Sequence, residues 1–203
     1  YWDYDYATVL IGDQCWFAEN CRYLPAVSLP GSGSESDGEP HAYVYDYSGT
    51  DIDSAMQTPQ YLLHGALYNF QAATTWDICP SGWHVPTKDE FRELDIFLGL
   101  DPNSGVGWSG MNLGIGDALK SQTGWCCNDQ GNNTTGFTAI GSGGRWDDDV
   151  IGFHDLDNAC RWWTQTPSGN MGWHHDVAAG YPGIYWKDDA PKARGHSVRC
   201  IKD

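Results

Sequence analysis

One segment carries the signals of a helix with a defined start and end, and it restricts the fold more than any other. Pro86 disfavours the helical conformation in the residue before it. Thr87 then stands where a helix N-cap needs a hydroxyl, and Glu90 follows at the spacing of a capping box. Apolar residues continue at helical spacing until Gly99, a residue suited to ending a helix. The pattern therefore predicts a helix over residues 87–98.

The composition favours short strands and ordered loops around this helix. The 203 residues include 11 Trp, 11 Tyr and 25 Gly, and few segments show a long helical pattern. The apolar content of 40% excludes a disordered chain. The residue patterns predict a second helix over 63–74, a short helix near 116–121, a hairpin within 7–24, and strands near 43–47, 136–140, 160–164, 183–186 and 196–201. Since no linker divides the chain, residues 7–203 are predicted to form a single domain.

The first six residues alternate between aromatic and acidic side chains. Tyr1, Trp2, Tyr4 and Tyr6 supply the aromatic positions, a pattern typical of a strand with one adhesive face. Two interpretations remain: an edge strand of its own domain, or an arm donated to a neighbouring molecule. The chain begins at Tyr1 rather than Met, from which a processed product is expected.

The charge balance excludes two classes of partner. With 27 acidic and 11 basic residues, the net charge is −16. Nucleic acid phosphates and anionic membrane surfaces would be repelled. No apolar run approaches the length of a membrane span, so membrane insertion is not expected either.

Seven cysteines predict an oxidising compartment, outside the cell or on its surface. Cys15 and Cys21 are close enough in sequence to bridge across a turn. Cys160 is the natural partner for one of the adjacent pair Cys126 and Cys127. Because seven is odd, at least one thiol is expected to be free or bonded to a second chain.

Four ordered blocks resemble one family: residues 9–20, 65–73, 79–87 and 197–200. They resemble the Fibrobacter succinogenes major paralogous domain, which is found largely in secreted or surface-attached bacterial proteins. Its helix motif and closing strand are similar to those of the formylglycine-generating-enzyme and C-type lectin superfamily. The resemblance implies an α+β, C-type-lectin-like domain with two main helices, a small twisted antiparallel sheet and long ordered loops. It also implies a disulfide between Cys79 and Cys200.

Two acidic clusters indicate calcium as the ion that this chain would bind. Asp147, Asp148 and Asp149 form the first cluster, and Asp155 and Asp157 follow shortly after. Carboxylate oxygens are the ligands that calcium prefers. The alternative is that both clusters are solvated hairpin tips. No cofactor is required by any motif in the sequence.

Asn132 and Asn133 each begin an Asn-x-Thr sequon within a polar loop. If the source organism glycosylates such sites, this loop is expected to be accessible. The alternative is an ordinary Asn-rich turn.

No catalytic motif stands out. Neither a Gly-x-Ser-x-Gly elbow nor a His-Glu-x-x-His sequence occurs. Oxidase chemistry of the formylglycine type needs a pair of active-site cysteines, and the resemblance assigns Cys200 to a structural bridge. The pair His174 and His175 is expected to be two surface imidazoles rather than a metal site.

Tryptophans offer the other candidate binding feature. A sugar-stacking platform could be formed by Trp162, Trp163, Trp173 and Trp186. In a strand-rich domain most such residues instead fill the core. One or two exposed tryptophans are therefore expected.

These observations predict a non-catalytic extracellular structural module that assembles with copies of itself, into a filament or a surface layer. The alternative is a carbohydrate-binding, C-type-lectin-like adhesion domain. A formylglycine-type oxidoreductase is a second alternative that requires two free, adjacent thiols in a cleft.

Overall fold

The computed structural model of the protein describes residues 4–33, 38–146 and 152–203. Short helices and mostly short strands alternate in its first half, and long strands dominate the second half. The α-helices are α1 (Ile52–Met56), α2 (Pro59–His64), α3 (Phe70–Thr75), α4 (Lys88–Phe97) and α5 (Ile115–Leu119), with 3₁₀ turns at Met111–Leu113 and Cys126–Asn128. The strands are β1 (Thr8–Ile11), β2 (Gln14–Phe17), β3 (Ala42–Tyr43), β4 (Leu67–Tyr68), β5 (Trp83–His84), β6 (Gly107–Ser109), β7 (Ser142–Trp146), β8 (Gly152–Leu156), β9 (Ala159–Ser168), β10 (Met171–Ala178), β11 (Tyr181–Pro191) and β12 (Ile201–Lys202).

Helix α4 confirms the prediction made from its capping signals. The Thr87 hydroxyl accepts a hydrogen bond from the Glu90 backbone N–H at 3.2 Å, and the Glu90 carboxylate accepts from the Thr87 N–H at 2.7 Å. Phe91, Leu94 and Asp95 are buried along one face. None of the helices within the described ranges combines the length and the apolar character that crossing a membrane requires.

The second predicted helix, over residues 63–74, is wrong. The chain forms α2, the short strand β4 and then α3. The break falls at Gly65, whose φ is 75° and whose Cβ, if it had one, would lie 2.5 Å from the Cys21 carbonyl oxygen. Asn69 then starts α3, because its side chain accepts a hydrogen bond from the Ala72 N–H at 2.8 Å.

The fold class expected from the resemblance is also wrong. Strand content is 33% and helix content 20%, and the largest element is a six-stranded mixed sheet rather than a small antiparallel one. Its strand order is β6-β11-β10-β9-β7-β8, with β7 and β9 parallel. No C-type-lectin-like fold and no pair of main helices is present in the described chain. The glycines and prolines of this region suggested short segments. Strands β9, β10 and β11 nevertheless continue through their glycines and prolines and are 8 to 11 residues long.

A smaller, four-stranded sheet has the order β1-β2-β12-β5. The hairpin β1–β2 is the one that the sequence predicts. Ile201 of β12 pairs with Trp16 on one side and with His84 on the other. Next to this strand lies the Cys79–Cys200 disulfide that the family resemblance implies.

The predicted Cys15–Cys21 bridge is absent, and both residues are free thiols. The chain does not turn back after β2. Instead, the Phe17 N–H donates to the Cys200 carbonyl and the Cys21 N–H donates to the Val198 carbonyl, both at 2.9 Å. Residues 17–21 therefore run beside residues 198–200, which carries Cys21 away from Cys15.

Cys160 is also free, as are Cys126 and Cys127, so the predicted bridge between them is wrong. Cys160 is fully buried in β9, with its sulfur 3.2 Å from the Ser142 hydroxyl. Cys126 and Cys127 lie nearer the surface in a 3₁₀ turn, with their sulfurs 3.0 Å apart. The core position of Cys160 keeps it from this pair.

The six-stranded sheet has one face packed against α4. Its buried layer includes Trp162 of β9, which stacks at 6.3 Å from Phe91, and His175 of β10, which stacks at 4.6 Å from Phe91. A second core cluster contains Trp163 and Phe70, on the side of α3. The sheet thus packs against α4 on one face, and the part of its other face that α3 leaves uncovered is polar.

Candidate functional site

A row of polar and aromatic side chains crosses four strands of the six-stranded sheet. Asp176 of β10 lies opposite Arg161 of β9 on one side and opposite Tyr185 of β11 on the other. Tyr185 in turn lies opposite Trp108 of β6. Because directly paired residues project from the same face of a sheet, these four side chains stand side by side.

The row forms part of an open cleft of about 450 Å³. That volume lies within the range of small-ligand sites. The lining combines aromatic rings, two histidines and charges of both signs: Trp108, Trp146, Arg161, His174, Asp176, Tyr185, Asp189, Arg194 and His196.

His174 is held between two carboxylates. Its Nδ1 lies 2.6 Å from an Asp176 oxygen, and its Nε2 lies 2.9 Å from an Asp189 oxygen. The residue is 6% exposed. Burial acts to lower the pKa of His174, but the two carboxylates outweigh it and raise that pKa to about 9. His174 is therefore a charged imidazolium at neutral pH.

Asp189 joins three donors at the rim of the cleft. Besides His174, it accepts a hydrogen bond from the Tyr185 hydroxyl at 2.9 Å and lies 3.0 Å from the Lys187 ammonium. The hydrogen bond from His174 outweighs burial and lowers the pKa of Asp189. Burial and the bond to Asp189 raise the pKa of Tyr185 to about 12. Both groups keep their ordinary ionisation states across the physiological range.

His196 lines the same cleft, but its ring is uncharged. It is 1% exposed and stacks on Trp163 with ring centroids 4.2 Å apart. Neither ring nitrogen has a hydrogen-bond partner among the described residues. Burial, together with the nearby positive charge of His174, lowers its pKa well below the usual value. His196 is therefore neutral, with hydrogen-bonding capacity left unused.

Two tryptophans form the aromatic part of the lining. Trp108 is 41% exposed and stacks on Tyr181 with centroids 4.2 Å apart and planes 13° from parallel. Trp146 lies in cation–π contact with two guanidinium groups, at 4.7 Å from Arg161 and 4.5 Å from Arg194. Both rings are fixed by neighbours and therefore present pre-set surfaces.

His174 provides the cleft with a fixed positive charge rather than a proton acceptor. Both nitrogens of His174 are occupied by carboxylates, so this imidazolium has no lone pair with which to accept a proton. His196 is neutral but buried. What remains is an aromatic surface beside fixed donors and acceptors, the combination that small polar ligands use.

His174 and His175 are not the two surface imidazoles that the sequence predicts, because both are buried. Neighbouring residues in a strand project to opposite faces. His174 faces the cleft, whereas His175 bonds to Asp95 of α4 at 3.0 Å. A metal site shared by these two rings is therefore excluded by their directions.

Of the four tryptophans singled out in the sequence, two are core residues and two are half-buried. Trp162 and Trp163 are fully buried, and their indole N–H groups donate to Asn20 and to the Tyr68 carbonyl. Trp173 and Trp186 pack on each other at 5.3 Å. The cleft uses Trp108 and Trp146 instead.

Sequence reasoning missed the row of Arg161, Asp176, Tyr185 and Trp108. These residues are scattered along the sequence and meet only through strand register. A sequence signal did exist. His174 and Asp176 are two residues apart in a strand-like segment, which places them on one face.

The structure describes two of the five predicted calcium ligands. Asp147, Asp148 and Asp149 lie outside the described residues. Asp155 pairs with Arg161 at 2.8 Å, and the Asp157 backbone bonds to Cys126 and Gly141. Calcium binding stays a prediction.

Only part of the predicted assembly arm lies in the described chain, because Tyr1 and Trp2 are outside it. Tyr6 stacks on Phe17 at 4.4 Å, and its hydroxyl accepts from the Arg22 N–H at 2.8 Å. The Tyr4 hydroxyl donates to Glu19 at 2.5 Å. Tyr4 and Tyr6 thus pack on their own domain outside any strand, and self-assembly stays a prediction.

The two sequons differ in access. Asn133 is partly buried, donates to the Thr138 hydroxyl at 3.1 Å and accepts from the Thr138 N–H at 2.9 Å. Asn132 is exposed and accepts from the Thr134 N–H at 3.0 Å. Asn132 is therefore the more accessible acceptor.

One group in the described chain brings three potential metal-ligand residues together. The sulfurs of Cys21, Cys79 and Cys200 all lie within 4.8 Å of one another. Two of them form the disulfide, so only the Cys21 thiol could act as a ligand in this state. The cluster as it stands is thiol and disulfide rather than a metal centre.

Comparison with known proteins places the chain in a family. The sequence model of the Fibrobacter succinogenes major domain family matches residues 9–202. No curated protein and no solved structure gives a significant match. The match includes the six-stranded sheet and every residue that lines the cleft. The chain belongs to the Fibrobacter succinogenes major domain family.

Proposed function

We propose that this domain is a non-catalytic carbohydrate-binding module and that the sheet cleft is its site. The observation that carries the proposal is the cleft itself, in which fixed aromatic rings lie beside charged hydrogen-bonding groups. Sugars present apolar C–H faces and polar hydroxyl edges, so their recognition needs both kinds of surface at close range.

The proposed contacts follow from the exposed ring of Trp108. Its stacking on Tyr181 holds the indole in place, and a pyranose ring would lie on the remaining indole surface. Hydroxyl groups of the same sugar would reach Tyr185 and Asp189, which share the cleft with Trp108. Since these groups are already fixed by one another, binding would require little ordering of the protein.

The charges of the cleft restrict the sugar class. The cations Arg161, Arg194 and His174 outnumber the lining carboxylates Asp176 and Asp189, within a protein of net charge −16. This contrast favours neutral or acidic saccharides over basic ones. Glycans of that kind at a cell surface suit the extracellular location expected from the family.

Binding without turnover is part of the proposal. Of the two histidines in the cleft, His174 is kept protonated by its bonds to Asp176 and Asp189, and His196 is neutral but 1% exposed. A charged imidazolium with both nitrogens engaged serves as an electrostatic anchor.

The test is a glycan array of neutral and uronic-acid-containing oligosaccharides, followed by calorimetry on the tightest binder. Trp108→Ala should weaken binding about tenfold or more, because truncating a central tryptophan typically costs about 2 kcal/mol. Phe97→Ala is the matched control, since Phe97 is 62% exposed but lies on α4 outside the cleft lining.

Two outcomes would overturn the proposal. One is the absence of any glycan signal at high protein density. The other is equal binding by both variants, which would place the site elsewhere. Repeating the array with a chelator tests the calcium prediction separately, because the proposed cleft contacts need no ion.

A further inference from the structure

Cys200 has two sulfur neighbours and is bonded to one of them. Its sulfur forms the disulfide with Cys79. The Cys21 sulfur lies 3.3 Å from the same Cys200 sulfur. Cys21 is a free, fully buried thiol. Thiol–disulfide exchange proceeds when the attacking, central and leaving sulfurs lie close to a straight line. Here the three sulfurs lie within 4.8 Å of one another, which is short of a linear arrangement, so the Cys21 side chain has to turn before it attacks Cys200.

A backbone hydrogen bond holds Cys21 directly, and Cys79 lies shortly before a paired strand. On one side, the Cys21 N–H donates to the Val198 carbonyl. On the other side, Ile201 pairs with His84 in β5, a few residues after Cys79. Cys200 thus lies between two segments that are anchored by the sheet. This backbone pairing would hold all three sulfurs near one another, whether Cys200 is bonded to Cys79 or to Cys21.

We propose that Cys21 is an internal nucleophile that converts the Cys79–Cys200 disulfide into Cys21–Cys200 and releases Cys79 as a modifiable thiol. Because Cys21 is fully buried, a transient opening of the site first admits water or hydroxide, which takes up the Cys21 proton. The electron pair of the thiolate forms a bond to the Cys200 sulfur, and the Cys79–Cys200 bond breaks. The Cys79 sulfur leaves with the electron pair and takes up a proton. The exchange involves no net oxidation, so it needs no outside reagent.

The consequence is a change in where the free thiol lies. Before exchange it is buried at Cys21. After exchange it is at Cys79, which is partly exposed and lines a pocket of about 180 Å³ together with Trp76, Trp83 and Gln165. Cys79 would then be open to alkylation, to oxidation or to a mixed disulfide with another thiol.

The rate of exchange should depend on pH. Burial raises the pKa of Cys21 to about 12, with the positive charge of buried Arg199 acting in the opposite direction. The thiolate fraction of Cys21 therefore rises about tenfold for each pH unit below that value. Exchange is expected to be slow at neutral pH and faster in alkali.

The experiment measures alkylation of Cys79 in the intact protein without reductant. Cys15, Cys126 and Cys127 are first replaced by serine, which removes the more accessible thiols. The protein is incubated with iodoacetamide at pH 7, 8 and 9, quenched in acid and mapped by mass spectrometry. The label on Cys79 should accumulate about tenfold faster per pH unit, in step with the Cys21–Cys200 disulfide.

Two further variants in the same background decide the outcome. Cys21→Ser should abolish labelling of Cys79, whereas Cys160→Ser should leave it unchanged. Cys160 is the matched control because it is equally buried but contacts Ser142 instead of the disulfide. Cys79 that stays unlabelled at pH 9, or labelling that survives Cys21→Ser, would overturn the proposal.

Cys79→Ser provides a test that does not depend on labelling or on the stability of the Cys21 variant. On oxidative refolding, this variant should form Cys21–Cys200 as its disulfide. If Cys21 and Cys200 both remain thiols, the sulfurs cannot reach bonding distance and the proposal fails.

Discussion

Replacing His174 by Gln should remove a pH dependence from the stability of the protein. In the folded state His174 lies between Asp176 and Asp189 with a pKa of about 9, whereas an unfolded histidine has a pKa near 6.5. A pKa raised by folding stabilises the protein fully below the unfolded value. The stabilisation is then lost as the pH rises through the folded value.

The magnitude follows from the difference between the two pKa values. One pKa unit corresponds to about 1.4 kcal/mol, so the full contribution of His174 is about 3 kcal/mol. About 2 kcal/mol of it should disappear between pH 7 and pH 8.5. His174 is 6% exposed, so solvent screening reduces this figure little.

The assay is urea unfolding at several pH values within that window. Staying below pH 8.5 limits the contribution of Cys21 and Cys160, whose raised pKa values add a further loss of stability in alkali. The buried histidines His64 and His196 have lowered pKa values, so they act below pH 6.5. Wild type should lose stability as the pH rises, and His174→Gln should start lower and lose less.

His84→Gln is the matched control. The pKa of His84 is also raised, because its bonds to Asp203 and Glu90 outweigh its burial, but the side chain is 32% exposed. Its effect on the pH profile should therefore be smaller than that of His174→Gln. Parallel profiles for wild type and His174→Gln, or an NMR titration of His174 near pH 6.5, would refute the reasoning.

The remaining predictions concern stability and modification. Thr87→Ala should lower the free energy of unfolding by about 1 kcal/mol through loss of the capping box, measured by chemical denaturation; an unchanged midpoint would contradict this. Gly65→Ala should cost about 1–3 kcal/mol or more in the same assay, since its positive φ and the nearby Cys21 carbonyl leave no room for a Cβ. Cys200→Ser should cost roughly 4–5 kcal/mol by the chain-entropy argument, because the disulfide closes a loop with a sequence separation of 121. In a glycosylating host, peptide mapping should find glycan at Asn132 and not at Asn133; the reverse occupancy would contradict the bonding described for the Asn133 side chain.

Local signals in the sequence predicted part of the local structure. The capping box of α4 and the β1–β2 hairpin depend on residues that are neighbours in the chain, and both are present. The helix over residues 63–74 failed because the constraint at Gly65 comes from the Cys21 carbonyl, which is distant in sequence. Apolar spacing alone cannot contain that contact.

The candidate site was hidden for a related reason. Arg161, Asp176, Tyr185 and Trp108 belong to four strands, and only the register of those strands brings them together. The sequence identifies residues of the right chemistry in this region, but it does not state which ones face each other. The sulfur contact of Cys21 with Cys200 was missed because it joins two segments at a sequence separation of 179.

The position of β12 between β2 and β5 has a consequence for how the domain is made. Because Ile201 pairs with both Trp16 and His84, the four-stranded sheet cannot close until residue 201 has been synthesised. A ribosome that adds about 5–20 residues per second needs about 10–40 s to travel from Trp16 to Ile201. Throughout that interval β2 has an unpaired edge, and β5 has one from the time residue 84 is made; such edges are sites of non-specific association. A stop codon shortly before Cys200 would leave a long product that cannot complete its four-stranded sheet.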